Sequence, residues 1–175
     1  MANKYPNVAH LIDQIVAFAT AGNYEQALDL CNSVIAANPT SFEAFWERAD
    51  LLFRVGQHKE AISDLDKLLV LSPSSVGTYF RRARWNLELG NYDAAIEDLD
   101  ILLEANDQAF IDAALCFRSM AHLERGDTAA AHADCLKLPC EFSFFVRTHK
   151  NNGQLISRET LLETIAAKTM IPGSS

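Results

Sequence analysis

Cysteine and histidine are the side chains of this sequence best able to bind a metal ion or attack a substrate. His132, Cys135 and Cys140 lie close together near the end of a helical pattern. Two ligands three residues apart fit one helix face, but the spacing matches no standard zinc site and no third or fourth ligand is evident. Burial of the thiols in helices is the better interpretation. We therefore expect no metal ion and no cofactor.

Catalytic patterns are missing from the rest of the sequence. His10, His58, His122 and His149 are scattered and have no evident nucleophile or carboxylate companion. The sequence has no Gly-rich phosphate loop, HExxH, GxSxG or CxxC motif, and these motifs carry the stronger signatures of phosphoryl transfer, metal-assisted hydrolysis, acyl transfer and thiol redox chemistry. We predict that the protein is not an enzyme.

Length and charge narrow the classes of partner. The 175 residues are 49% hydrophobic, which is enough for a continuous core in one domain or one short repeat array. The net charge of −8 opposes binding along a phosphate backbone, so we expect no nucleic acid partner. An acidic surface instead favours a basic or an apolar partner.

The apolar segments and the positions of the cysteines indicate where in the cell the protein resides. The apolar run near the start is interrupted by Asp13 and Gln14, which does not fit a secretory signal. No stretch is long and uncharged enough for a membrane span, so we expect no membrane contact. Cysteines placed in helical patterns rather than at disulfide spacings suit a reducing compartment. The sequence predicts a cytoplasmic protein.

A repeat of 34 residues organises the chain. Gly22, Gly56 and Gly90 are spaced by this period, and an alanine follows each glycine five residues later, at Ala27, Ala61 and Ala95. A period of this size indicates a solenoid of stacked units. In each unit the glycine ends a first helix, and the small alanine lets a second helix pack closely against it. Pro39 and Pro73 then end the second helices.

With these residues the chain resembles the tetratricopeptide-repeat family, whose repeat is a pair of antiparallel helices. The matching residues are the Gly and Ala columns, Tyr24, Tyr92, Phe45, Tyr79, Pro39 and Pro73. The resemblance covers residues 8 to 138, and the fourth repeat departs from it because Thr128 replaces the turn aromatic and Pro139 arrives early. It implies an all-α fold, a right-handed superhelical array of about four helix pairs with a C-terminal capping helix.

The predicted elements follow the repeat. We expect helix pairs at 6–20 with 24–37, 41–55 with 58–71, 75–89 with 92–105, and 110–125 with 128–138. The array takes residues 1–138, an irregular or hairpin segment with a turn at Asn152–Gly153 takes 139–156, and a capping helix begun by Ser157 takes 157–170. Together they are predicted to form one structural domain.

The resemblance also implies which helix face binds a partner. In the family the first helix of each pair lines the concave wall, and in the 34-residue register two apolar columns flank a small charged centre. The predicted partner-binding residues are Ile12, Val16, Trp46, Asp50, Phe53, Phe80, Arg81, Arg84, Leu87, Phe117 and Met120. The alternative is that these residues pack against adjacent repeats or against the C-terminal segment of the same chain.

Two sets of charges recur with the register. Glu47 with Arg81 and Asp50 with Arg84 are each one repeat apart, and they fit either lateral salt bridges or arginines that hold a partner carboxylate. The second set is predicted to form structural Arg–Asp links between helices. It comprises Arg48, Arg82 and Arg118 with Asp64, Asp98 and Asp134.

The leading functional hypothesis is a non-catalytic protein–protein interaction module. It would bind a partner protein or peptide on its concave helical surface, as an adaptor, a chaperone or a neutralising, immunity-type partner. The alternative is a structural protein that self-assembles, as a homodimer for example, with the groove used as the homo-oligomer interface.

Overall fold

The computed structural model describes residues 8–146 and 153–170 of the chain. His149, one of the scattered histidines, and Asn152, in the predicted turn, lie outside the described residues. The chain forms two compact units, Met1–Ser75 and Val76–Ser175. The single structural domain stays a prediction.

The first unit contains two helix pairs at the predicted positions. Its helices are α1 Val8–Thr20, α2 Tyr24–Ala37, α3 Phe42–Arg54 and α4 His58–Leu71. Each helix packs on the next, and α1 also contacts α3. The core between them contains Ile15, Cys31, Val34 and Leu51. Because these residues recur at helical spacing, each helix turns one apolar stripe toward its neighbours.

The second unit contains two further helix pairs and a C-terminal extension. Its elements are α5 Val76–Leu89, α6 Tyr92–Ala105, α7 Ile111–Glu124, α8 Thr128–Lys137, β1 Ser143–Val146, β2 Gln154–Ser157 and α9 Arg158–Thr169. The strands are antiparallel, with Phe144 opposite Ile156. This pairing has the geometry of the hairpin alternative, and β1 with β2 is called the hairpin below. The side chain of Ser157 accepts a hydrogen bond from the backbone N–H of Thr160, as expected of the cap of α9.

The repeat turns depend on the glycine that ends each first helix. Gly56 has φ +83°, a left-handed conformation that glycine adopts without the steric cost of a Cβ. The N–H of Gln57 then donates to the carbonyl of Leu52 at 2.8 Å, which satisfies one of the last carbonyls of α3. Four residues after this turn, Ala61 has no exposed surface, so only a small side chain fits where α4 crosses α3.

The predicted Arg–Asp links are present, and each joins the two helices of one repeat. Arg118 donates through Nε and Nη2 to the carboxylate of Asp134, both at 2.7 Å. The other two links, Arg48 to Asp64 and Arg82 to Asp98, have the same two-point geometry. The three aspartates are almost completely buried, with side-chain exposures of 6%, 3% and 4%. These links fix the register of the second, third and fourth helix pairs.

The core of the second unit unites its helices with the C-terminal extension. Phe117 of α7, Val146 and Ile156 of the hairpin, and Leu161 and Ile165 of α9 belong to one buried cluster. None of the helices in the described part of the chain has the length and apolarity needed to cross a bilayer. Within residues 8–146 and 153–170, no group of three His, Cys, Asp or Glu side chains is placed to hold a metal ion.

Candidate partner-binding pocket

The hairpin covers part of the helix face that the register predicts for a partner. The ring of Phe144 meets the ring of Phe117 edge to face, with centroids 5.7 Å apart, and Phe80 meets Phe117 from α5 at 5.6 Å. Val146 and Ile156 are 7% and 6% exposed beside them. In the second unit, therefore, the C-terminal segment packs against part of this face, which is one of the two alternatives stated above.

A concave pocket remains next to the covered area. It has a volume of about 380 Å³ and lies between α5, the start of α6, α7, the hairpin and α9. Its lining residues are Arg84, Leu87, Glu88, Tyr92, Phe117, Met120, Leu123, Glu124, Val146, Gln154, Ile156, Thr160, Leu161 and Thr164. We call it the C-terminal pocket. Apolar side chains form its walls, while carboxylates, one guanidinium, hydroxyls and an amide provide polar atoms.

The guanidinium of Arg84 lies against aromatic rings at the edge of this pocket. Its carbon is 5.9 Å from the ring centroids of both Phe80 and Phe117, which is within the range of cation–π attraction. Arg81, one turn earlier, lies over Trp85 at 5.7 Å. The aromatic faces therefore hold Arg81 and Arg84 in defined positions.

An exposed ion pair borders the pocket where α7 approaches α9. The ammonium of Lys168 is 3.1 Å from a carboxylate oxygen of Glu124, and the two side chains are 41% and 49% exposed. Lys168 also donates to the backbone carbonyl of Leu123 at 3.2 Å. Because both groups are well solvated, this pair contributes little to folding, about 0–1 kcal/mol.

The structure brings four of the predicted residues into the C-terminal pocket. Arg84, Leu87 and Met120 line it with partly exposed side chains, and Phe117, with 2% of its surface exposed, forms its floor. Phe80 packs behind them against Phe117. The register therefore identified residues that do share one site in the second unit.

In the first unit the predicted residues differ in accessibility. Val16 is 44% exposed, and Ile12 is half-buried against the core of the unit. Trp46 is also half-buried and stacks on Phe42 with ring centroids 6.0 Å apart. Asp50 accepts a hydrogen bond from Nε of Arg54 at 2.6 Å. Of these four predicted residues, only Val16 is exposed, and the other three are partly buried.

Phe53 requires a correction. Only 1% of its surface is exposed, and its ring packs against His58 with centroids 4.6 Å apart. A partner cannot reach this side chain, so we remove Phe53 from the contact residues. The expected pairs of Glu47 with Arg81 and Asp50 with Arg84 join residues of different units and stay predictions.

Several lining residues lie outside the predicted set because they follow the last repeat. Val146, Gln154 and Ile156 come from the hairpin, and Thr160 and Thr164 from α9. A register deduced from repeats says nothing about the segment after them. A usable signal was present, since residues four apart in the capping helix share one face and the apolar Phe142 and Phe144 favour burial. Phe145, by contrast, is 60% exposed.

The cysteines take no part in this site. Burial raises the pKa of the Cys31 and Cys116 thiols to about 12, and burial also raises the pKa of Cys135. Such thiols are almost wholly protonated at neutral pH and are poor nucleophiles and metal ligands. Cys140 is exposed and accepts a hydrogen bond from Nη1 of Arg158 at 2.9 Å.

Comparison with known families agrees with the repeat pattern. Residues 20–101 match the family model of anaphase-promoting complex, cyclosome, subunit 3, and residues 80–139 match a tetratricopeptide-repeat model. The chain belongs to the tetratricopeptide-repeat family. No curated protein matches the sequence.

Solved structures support the same fold for this tetratricopeptide-repeat protein. MamA from Desulfovibrio magneticus RS-1 superposes with a TM-score of 0.66 at 20% identity, covering 75% of this chain and 74% of that one. The MamA RS-1 ArsTM double mutant gives 0.67 at 18% identity, covering 75% and 74%. A tetratricopeptide repeat protein from Parabacteroides merdae superposes with a TM-score of 0.68 at 23% identity. The match covers 77% of this chain and 52% of the Parabacteroides chain.

The family and the fold together set the coarse function. The predicted fold class, an all-α array of tetratricopeptide helix pairs, is confirmed. Tetratricopeptide-repeat proteins are generally non-catalytic scaffolds that bind other proteins, so this chain is a protein-interaction module.

Proposed function

We propose that the protein binds a segment of a partner protein on the face formed by its first helices, and that the C-terminal pocket receives apolar side chains of that segment. One observation carries the proposal. Four residues that the register assigns to the binding face, Arg84, Leu87, Phe117 and Met120, line one concave pocket together with the hairpin and α9.

The shape and lining of the pocket suit an anchoring side chain. At about 380 Å³ it falls in the range of ligand-binding cavities, and it can accommodate more than one side chain. Leu87, Met120 and Leu161 provide apolar wall, so an entering aliphatic or aromatic group gains about 25 cal/mol for each Å² removed from water. A few such anchors commonly supply most of the binding energy of an interface.

The role of this binding is non-catalytic in the proposal. A function as an adaptor, a chaperone or a neutralising partner needs only a surface that recognises one client, and the pocket offers such a surface. A cytoplasmic location is a further part of the proposal. It is supported by Cys31, Cys116 and Cys135, which pack in the helices as buried thiols.

Photo-crosslinking from two adjacent positions of β2 tests the proposal. Gln154 is exposed and lines the pocket, while Leu155 is 60% exposed and points to the opposite face of the strand. A benzophenone amino acid at position 154 in cells of the native host should capture a defined peptide of a partner. The same probe at position 155 should not capture that peptide.

The products of this experiment also decide between the two functional hypotheses. Capture of a different protein at position 154 supports a client-binding module. Capture of a second copy of this chain, together with a dimer mass in light scattering, would assign the pocket to a homo-oligomer interface instead. Equal capture from positions 154 and 155, or none from 154, would contradict the proposal.

A further inference from the structure

We infer that the segment bound in the C-terminal pocket is basic and amphipathic, with apolar side chains in the pocket and lysine or arginine residues that pair with Glu88 and Glu124. This inference rests on the proposed function and adds the chemistry of the partner. It follows from the lining of the pocket, from the weakness of the ion pairs near it and from the charge of the chain.

The apolar half of the inference comes from the walls of the pocket. Leu87, Met120, Leu123, Ile156 and Leu161 line it from four different elements. Methionine adapts its shape to different partners because it is unbranched and polarisable. A segment with apolar side chains on one face, spaced three or four residues apart, fits such a cavity as a helix in a groove.

The charged half comes from the two carboxylates. Glu88 and Glu124 line the pocket together with one guanidinium, that of Arg84. The face of this guanidinium lies against Phe80 and Phe117. An acidic segment would bring like charges against both glutamates, which costs binding energy. A basic segment gains from the same groups.

The ion pair between Glu124 and Lys168 does not prevent a cation of the partner from pairing with Glu124. This link is an exposed pair of about 0–1 kcal/mol, so a cation of the partner can take the place of Lys168 at small cost. A second exposed ion pair joins Asp93 and Arg125. Each of these residues directly follows a residue that lines the pocket, Tyr92 and Glu124 respectively. The Asp93 carboxylate is 3.0 Å from Arg125 and is 78% exposed.

The net negative charge of the whole chain also favours a basic partner. With 23 acidic and 15 basic residues, the net charge of −8 attracts a cationic segment and raises its rate of encounter. Attraction of this kind is not specific to one site. The test must therefore separate the pocket glutamates from the acidic surface in general.

Two labelled model peptides with one leucine pattern provide the probes. In one peptide the polar face carries lysine, and in the other it carries glutamate; binding to the full chain is followed by fluorescence anisotropy. We expect the lysine peptide to bind and the glutamate peptide not to bind. Glu88→Gln combined with Glu124→Gln should weaken the lysine peptide by about fivefold or more.

A charge-matched variant is the control. Glu97→Gln combined with Glu104→Gln removes two exposed carboxylates of α6 that do not line the pocket, and it should change the affinity by less than about twofold. Circular dichroism melting checks that each variant is folded. The single Glu124→Gln variant, at a half-exposed position, should still weaken binding measurably if the double variant is unstable.

Distinct outcomes contradict the inference. If both double variants weaken binding of the lysine peptide equally, the peptide is attracted by the acidic surface in general and not by the pocket glutamates. If the two peptides bind equally well, the partner segment is not basic. If neither peptide binds, the inference as a whole is overturned. The proposed function is judged separately, by capture from position 154, so its failure is distinguishable.

Discussion

At the residue scale, the charged columns were the most informative part of the sequence. Arg48, Arg82 and Arg118 each recur with an aspartate, and the first repeat lacks both members, with Gln14 and Leu30 in their places. Joint presence and absence indicates contact, and the structure contains all three links. Burial of Phe53 could not be deduced in this way, because an apolar residue on a helix is equally consistent with a core and with a binding face.

The link between Arg118 and Asp134 predicts a pH dependence. Burial alone would raise the pKa of Asp134, but hydrogen bonds from Arg118 and Lys137 outweigh it, and the pKa lies below its ordinary value of 3.8. The carboxylate therefore stabilises the fold above its unfolded-state pKa, and this contribution is lost as the pH falls through the folded-state pKa. Wild-type unfolding free energy should decrease from about pH 5 to pH 3.

Asp134→Asn is the variant that isolates this contribution. At neutral pH it should cost about 3 kcal/mol, because it leaves the mostly buried Arg118 without its main charged partner. Between about pH 5 and pH 3 its stability should change less than that of the wild type. Urea titrations at several pH values measure both effects, with Glu97→Gln as an exposed control. An identical pH dependence in Asp134→Asn would contradict the account.

The cysteines make a second prediction at this scale. Cys140 is exposed, whereas Cys31, Cys116 and Cys135 are buried with pKa values raised by burial. A chromogenic disulfide reagent should therefore modify one thiol rapidly in the native protein and the other three only after denaturation. Cys140→Ser should remove the rapid phase. A rapid phase of two or more thiols in the wild type would show that the helices open far more readily than this packing implies.

At the element scale, the repeat explains why the helices were predictable and the hairpin was not. Each pair repeats the same Gly and Ala positions, so α2, α4 and α6 begin and end at the predicted residues. The strand Ser143–Val146 has no repeated counterpart. Its short apolar sequence fits a hairpin or a docked loop equally well, and contact of Phe144 with Phe117 is a tertiary effect that local patterns do not contain.

Packing where α3 and α4 cross predicts the effect of a larger side chain. Ala61 has no exposed surface, so Ala61→Leu must displace the neighbouring helix and should cost about 1–3 kcal/mol. Ala36→Leu, at an exposed position of α2, is the control and should leave stability nearly unchanged. Thermal melting compares the two. An unchanged melting temperature for Ala61→Leu would show that the register is wrong.

Gly153 predicts how the hairpin depends on its backbone. It has φ +105°, a conformation that other residues rarely adopt, and an added Cβ would overlap the ring of Phe145. Gly153→Ala should therefore destabilise the hairpin by about 1–3 kcal/mol. Combining it with Phe145→Ala should relieve the overlap but not the backbone strain.

Gly77 in α5 is the matched control for this substitution. A Cβ there would meet no atom within 4 Å, so Gly77→Ala should be neutral or should stabilise the protein by about 0.4–1 kcal/mol. Amide hydrogen exchange of β1 reports the hairpin directly. Faster exchange in Gly77→Ala than in Gly153→Ala would contradict the explanation.

At the scale of the whole molecule, the register brought together four residues of one pocket but not the rest of its lining. It assigned Arg84, Leu87, Phe117 and Met120 to the inward side, and these residues do meet in the C-terminal pocket. The boundary of that pocket is set by residues of β1, β2 and α9, which lie beyond the repeats and pack against α7. A pattern of period 34 describes neighbours within the array, so it contains no information about an extension that packs across it.

The C-terminal pocket itself is proposed to receive the partner, and filling the pocket is the most direct test. Thr164 is exposed and lines the pocket, so Thr164→Trp should plug it without disturbing the core, while Glu163→Trp adds the same side chain to an exposed neighbour outside it. The dissociation constant of the partner captured from position 154 is measured by calorimetry for both variants. We predict a loss of about tenfold or more for Thr164→Trp and none for Glu163→Trp. Wild-type affinity in a folded Thr164→Trp variant would contradict the account.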